Sequence, residues 1–176
     1  MRTPTRRGAS TIATVAAVAA CVLAMPTLAS ATEPLPDCVD RDKAKLVNGK
    51  AIPPCDAPAR VQRVIRAANE IAKGHDYCYG GGHGSFRSSC YDCSGAVSYA
   101  LHGGGLLDSP LDSNGLARWG RGGRGQRLTV FANSGHAYAK FAGLRFDTSM
   151  TPGAGPGWSD EMRSGRGFAK RHKGQL

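Results

Sequence analysis

Apolar residues recur along this chain in two rhythms, set apart by glycine-rich stretches. From Pro58 to about Lys73, Val61, Val64, Ile65, Ala68 and Ile71 return at three- and four-residue intervals, with Arg60, Arg63, Arg66 and Glu70 mostly off the stripe. That period predicts an amphipathic helix, which Gly74 ends. A second helical pattern opens at Cys93, where Ala96, Val97, Ala100 and Leu101 share one face through about His102, before Gly103 to Gly105 stop it. Asp92 is a good N-cap type for it. The rhythm then shortens, and Leu128 to Ala132, His136 to Phe141 and Leu144 to Thr148 read as strands.

The remaining stretches carry weaker patterns. Residues 32–58 are rich in Pro, Asp and Lys with little periodicity, and are expected to form an irregular arm. Residues 106–127 are rich in Gly and Arg and read as a loop with one short helix near Leu116 to Trp119. The Gly-Arg alternation around Arg121 and Arg124 resembles RNA-binding tracts, but a short piece between two structured segments reads better as a connector. After Met150 the chain turns Gly/Pro-rich, with Trp158 as an expected anchor, and Phe168 to Leu176 is expected to add an edge strand before a basic tail. There are no internal repeats.

The N-terminus changes what the composition means. Arg2, Arg6 and Arg7 precede an apolar run from Thr11 to Met25, and Ala29-Ser30-Ala31 follows as a cleavage pattern. Residues 1–31 therefore read as a secretory signal peptide, too short and wrongly flanked for a stable membrane span. Val18-Ala19-Ala20-Cys21 also resembles a lipobox, which would lipidate Cys21, but apolar sequence continues past it to the cleavage pattern. Cleavage after Ala31 leaves 145 of the 176 residues, enough for one domain with its own core. The leader holds three of the 23 basic residues and none of the 13 acidic ones, so the remainder carries 20 against 13, a net +7. An exported chain of that charge meets anionic cell-envelope polymers more readily than nucleic acid, although a solvated basic surface accounts for the charge equally well.

Export also changes the meaning of the cysteines, since thiols pair in an oxidising compartment. Without Cys21, five remain: Cys38, Cys55, Cys78, Cys90 and Cys93. An odd count leaves one thiol over. Connectivity is not fixed by sequence; pairing of near neighbours suggests Cys38–Cys55 and Cys78–Cys90, each contributing about 3 kcal/mol by loop closure. Cys93 is then free, in the first turn of a helix, where unpaired N–H groups and the helix dipole favour a thiolate.

A cysteine nucleophile needs a base, and the base an orienting group. If Ala142-Gly143 is a two-residue hairpin turn, Phe141 pairs with Leu144. Ala139, Phe141, Leu144 and Phe146 then share an apolar face, while His136, Tyr138, Lys140, Arg145 and Asp147 share the other. His136 stands diagonal to Asp147 at about 7–8 Å between backbones, a distance that side chains bridge. Asp147 would hold one imidazole nitrogen and leave the other for Cys93.

The succession Tyr77-Cys78-Tyr79-Gly80-Gly81, Asp92-Cys93-Ser94-Gly95 and Gly135-His136 resembles the NlpC-type cell-wall cysteine peptidase family over roughly residues 60–150. The resemblance implies an α+β, papain-like fold in which the nucleophile helix packs on a small antiparallel β-sheet. It implies residues 59–176 as the catalytic domain, Cys93 as nucleophile, His136 as general base, and Tyr77 with Ser94 beside the substrate. It also implies hydrolysis of an amide bond in peptidoglycan stem peptides, through a thioester. Asp147 departs from the His, Asn or Gln more usual there, but is a competent orienter. The Cys78/Cys90 pair is outside the general pattern too; joined, these residues would tie down the loop over the cleft.

Other readings compete. A catalytically silent wall-binding module on the same fold would carry the same motifs. Cys90-x-x-Cys93 at a helix start also fits a thiol–disulfide oxidoreductase, although no βαβ pattern surrounds it. His75, Cys78, His83, Cys90 and Cys93 include no standard zinc spacing beyond the single x₂ pair. His75, His83, His102 and His172 read as loop or surface residues, and Trp119 and Trp158 as core anchors. The leading expectation is an exported or wall-associated monomer with no cofactor and no metal, no nucleic-acid partner, and no membrane contact once the leader is removed.

Overall fold

The computed structural model describes Met1, residues 37–150 and residues 154–176. The signal-peptide and Cys21 readings, and most of the leading part of the arm, lie outside the described residues. Apart from Met1, the described residues belong to one unit, Pro34–Leu176. None of its helices is long and apolar enough to cross a membrane.

The arm is more regular than its composition predicts. Strands β1 (Lys45–Val47) and β2 (Lys50–Ile52) form an antiparallel hairpin, turned by Asn48 and Gly49 with positive φ at both, the geometry that Asn-Gly favours. Cys38 is bonded to Cys55 across it. The signal was the Asn48-Gly49 pair, too weakly flanked by alternation to stand out.

Helix α1 (Ala59–Ile71) buries Val61, Val64, Ile65, Ala68 and Ile71, the stripe of the sequence pattern, together with Ala67. It ends before Gly74, because Ala72 is extended and Lys73 takes φ 61°. The Lys73 N–H then bonds Pro156 O at 3.1 Å, so a tertiary contact stops the helix ahead of the glycine. Strands β3 (Asp76–Tyr77) and β4 (Cys90–Tyr91) form a short parallel pair, joined by the Cys78–Cys90 disulfide. Helix α2 (Cys93–Gly103) follows, then α3 (Ser113–Arg118), which starts earlier than the expected turn because Asp112 caps it through Gly115 N at 2.7 Å.

The main sheet has six strands: β5 (Arg121–Gly122), β6 (Leu128–Ala132), β7 (Ala137–Phe141), β8 (Leu144–Asp147), β9 (Gly157–Ser159) and β10 (Ala169–His172). Their order is β5-β10-β6-β7-β8-β9, with every pair antiparallel. The C-terminal strand is therefore not an edge strand. It runs between β5 and β6, held by Arg171, whose guanidinium donates to the carbonyls of Arg118, Trp119 and Gly120. The Ala142-Gly143 turn forms with φ of 45° and 98°, and Phe141 faces Leu144, Lys140 faces Arg145 and Ala139 faces Phe146.

The sheet is covered on both sides. Val130, Ala132, Ala139, Phe141, Leu144 and Phe146 join one core with α1 and α2, and α2 packs on β7 and β8. The opposite face, expected to be polar, is sealed around Tyr138, which is fully buried. Tyr138 stacks on Phe131 at 4.6 Å and meets Phe168 edge-on at 5.2 Å, while the Arg163 guanidinium sits 5.2 Å over its ring. The segment between β9 and β10 thus forms a second layer beneath the site.

Candidate active site

The Cys93 position is built by backbone contact. Asp92 caps α2, its Oδ1 accepting Gly95 N–H at 2.7 Å, and its Oδ2 takes Gly80 N–H at 3.2 Å. One carboxylate therefore ties the glycine loop to the first turn of the helix. The two backbones approach so closely that a Cβ on Gly95 would stand 2.0 Å from Gly81 O, and one on Gly82 would stand 3.0 Å from Gly95 Cα. This accounts for glycine at positions 82 and 95. Gly95→Ala is expected to lower stability by about 1–3 kcal/mol, because backbone must move to admit the methyl; urea denaturation checks this, and an unchanged midpoint would contradict it.

Cys93 opens α2, is partly exposed, and is the free cysteine among the described residues. Cys90 is bonded to Cys78 and so unavailable to Cys93, and two of the residues in the zinc reading are likewise spent on each other.

His136 is set by the turn before β7. Asn133 Oδ1 accepts the N–H groups of Gly135 and His136, both at 3.0 Å, and the Asn133 N–H donates to His136 O at 3.0 Å. An Asn side chain mimicking a backbone turn does this readily. The ring then points Nε2 at Asp147 Oδ1, 2.9 Å away, and the side chain also neighbours Cys93. Burial by itself would lower the His136 pKa, but hydrogen bonding to Asp147 and then to Cys93, with their charges, outweighs it and pushes the value up to about 9. Asp147 is 2% exposed. Burial pushes its carboxyl up, yet the bonds from His136 and Ser149 reverse this and hold it below the usual value.

These shifts have opposite signs in stability. His136 is raised above its ordinary 6.5, so its contribution is full below pH 6.5 and is lost as pH rises through about 9. Asp147 is depressed below 3.8, so its contribution is present above pH 3.8 and is lost as pH falls through its lower folded value. Urea midpoints are expected to fall between pH 6.5 and 9 in the wild type and to fall less in His136→Ala; parallel curves would contradict the pairing.

A groove of about 280 Å³ opens on Cys93, lined also by Tyr77, Tyr79, Gly80, His83, Asp92, Ser94, Asp112, Ser113, Asn114, Ser134 and Gly135. Tyr77 is 41% exposed; partial burial and then the charges of Cys93 and Asp92 raise its pKa. Ser94, expected beside the substrate, lines this groove, but its hydroxyl is engaged within the protein. It is buried, donates to Asp92 Oδ1 at 3.1 Å and lies 2.9 Å from His83 Nε2, so its hydroxyl serves the cap. His83, read from sequence as a loop histidine, also lies 2.9 Å from Asp92 Oδ2 and lines the groove. Its signal was its place in the glycine loop directly before Asp92. Arg163 and Ser149 were missed as well: Arg163 Nη1 donates to Asp147 Oδ2 at 3.3 Å and to Ser149 Oγ at 2.8 Å. Only the tertiary fold brings Arg163 there.

No family model matches the sequence, and no curated protein does. Solved structures do. The peptidoglycan hydrolase RipB from Mycobacterium tuberculosis is similar at 25% identity and a TM-score of 0.49, over 64% of this chain and 64% of that one. The P60 domain of an antigen from M. avium subspecies paratuberculosis is similar at 20% identity and 0.45, over 64% of this chain and 93% of the domain. A mutated form of the Resuscitation Promoting Factor Interacting protein RipA is similar at 17% identity and 0.50, over 74% of this chain and 70% of that one. The RipA likeness shows a shared fold, a mixed α/β arrangement with small sheets. The chain spans just under two thirds of the RipB structure's length.

Proposed function

We propose that this protein is an exported, wall-associated cysteine hydrolase of papain-like fold that cleaves an amide bond in peptidoglycan stem peptides. The reading rests chiefly on His136, held by Asp147 through Nε2 and neighbouring the free Cys93 at a helix start. The resemblance of the Tyr77-to-Gly81 and Asp92-to-Gly95 elements to the NlpC-type peptidases supports the substrate class.

The chemistry follows from the geometry. The Cys93 thiolate attacks the amide carbonyl carbon, and the C–N bond breaks as the His136 imidazolium gives its proton to the leaving amine. The acyl group is then a Cys93 thioester. Neutral His136 takes a proton from water, the hydroxide adds to the thioester carbonyl, and the C–S bond breaks to release the carboxylic acid, which loses its proton to solvent, and to restore the thiolate–imidazolium pair. The Gly95 N–H is taken by Asp92, so the first-turn N–H groups of Cys93 and Ser94 are the donors suited to the oxyanion. Asp147 fixes the ring and stabilises the imidazolium.

Incubation of the purified protein with soluble peptidoglycan fragments, followed by mass spectrometry, tests this. One amide opened by addition of water is the expected result. Fragments that are bound but left intact would overturn it in favour of a silent binding module.

A further inference from the structure

Asp147 uses its two oxygens differently. Oδ1 faces His136 Nε2 at 2.9 Å and takes the Ser149 N–H at 3.1 Å. Oδ2 accepts the Ser149 hydroxyl at 3.0 Å and Arg163 Nη1 at 3.3 Å. Arg163 also donates to Ser149 Oγ at 2.8 Å, so the guanidinium reaches the carboxylate both directly and through the hydroxyl. Its position is fixed by aromatic faces: its central carbon stands 5.2 Å from the Tyr138 ring centre and 5.5 Å from that of Phe168. Both rings also neighbour His136, at 6.3 Å and 6.4 Å. Arg145 is the other cation at hand, but its Nε is 3.8 Å from Oδ2 and makes no hydrogen bond.

We propose that Arg163 is a positioning residue for the base: it holds Asp147 from the side away from His136 and, by sharing the carboxylate's charge, sets the pH at which the His136 imidazolium releases its proton. This rests on the roles given above to Cys93, His136 and Asp147. An orienting Asn or Gln carries no charge, whereas an Asp places a full negative charge against the imidazole. Unshared, that charge would retain the proton that the leaving amine must receive. A guanidinium bonded to the far oxygen returns part of this cost, so the departure from the family pattern at Asp147 has its counterpart in Arg163. The groups at His136 are Asp147 from β8, Cys93 from α2, the Tyr138 ring from β7 and the Phe168 ring from the segment between β9 and β10; Arg145 and Arg163 reach it through Asp147, and Arg124 lies beyond Tyr138; Tyr77 and Asp92 act on the Cys93 side.

Two readouts test it: the His136 imidazole titration followed by NMR, and the alkaline limb of the pH profile for Cys93 alkylation. Arg163→Ala is expected to move both upward by about half a pH unit, the effect of one charge acting over several ångströms through partly solvated protein. Arg163→Lys keeps the charge and is expected to stay near the wild type. If Arg163→Ala does not fold, Arg163→Met retains the stem's contact with the two rings and is read in its place. A His136 titration that is unchanged or moves down in the folded variant overturns the proposal, as does a lysine variant that moves as far as alanine. The imidazole titration is read whether or not any peptide is cleaved, so failure of this inference is distinct from failure of the hydrolase reading.

Discussion

Replacing Cys93 with alanine is expected to reduce cleavage of peptidoglycan fragments by at least about a thousandfold, because no other group nearby can form the covalent intermediate. Ser94 is the adjacent candidate, but its hydroxyl is buried between Asp92 and His83. The fold is expected to survive. Cys93 is partly exposed, and the cap depends on Asp92 and Gly95, which remain. Mass spectrometry of digests, with circular dichroism as the control for folding, reads the outcome. Cleavage by a folded Cys93→Ala protein at the wild-type rate would remove the cysteine from the mechanism.

The second large effect belongs to the base. His136→Ala is expected to cost about 10²- to 10⁴-fold in cleavage rate, the usual span for a positioned proton-transfer group. It removes the imidazolium beside the thiolate and also leaves Asp147 buried without its main partner, with only Ser149 and Arg163 to hold it. A stability loss should accompany the rate loss, and it separates from the chemistry by its pH dependence. Denaturation at pH 6.5 and 9 should differ less in the variant than in the wild type, whereas the cleavage defect should persist at both.

How far the sequence carried this architecture depended on whether the deciding interaction was local. The β7–β8 hairpin was legible because a two-residue turn fixes parity, and Phe141 and Leu144 then force every neighbour to one face or the other. That register put His136 diagonal to Asp147, and the structure closes the gap to 2.9 Å. The stripe of α1 was legible for the same reason. The C-terminal strand was not. Its place between β5 and β6 rests on Arg171 reaching carbonyls about fifty residues earlier, a contact without local signature. The covered face below the site was also illegible, since Tyr138 reads as amphipathic until Phe168 and Arg163 fold over it. His83 fell between these cases: the glycine loop announced a functional stretch, but its bonds to Asp92 and Ser94 depend on how that loop returns to the helix.

The glycine loop also gives the Cys78–Cys90 disulfide a mechanical meaning. Gly80 and Gly81 follow Cys78 after the single residue Tyr79, and Asp92 joins Gly80 to the first turn of α2. The disulfide closes the loop whose backbone forms one wall of the groove, while Asp92 joins that loop to the helix turn that carries Cys93.

The hydrolase reading requires Cys93 to be an activated thiol paired with His136. The most direct test treats the purified protein with iodoacetamide in the absence of reductant, maps the modified residues, and compares rates in the wild type and His136→Ala. A single fast-reacting site at Cys93, slowed in the variant, is the predicted result. An unreactive Cys93, a disulfide joining it to Cys90, or a rate indifferent to His136 would contradict the account.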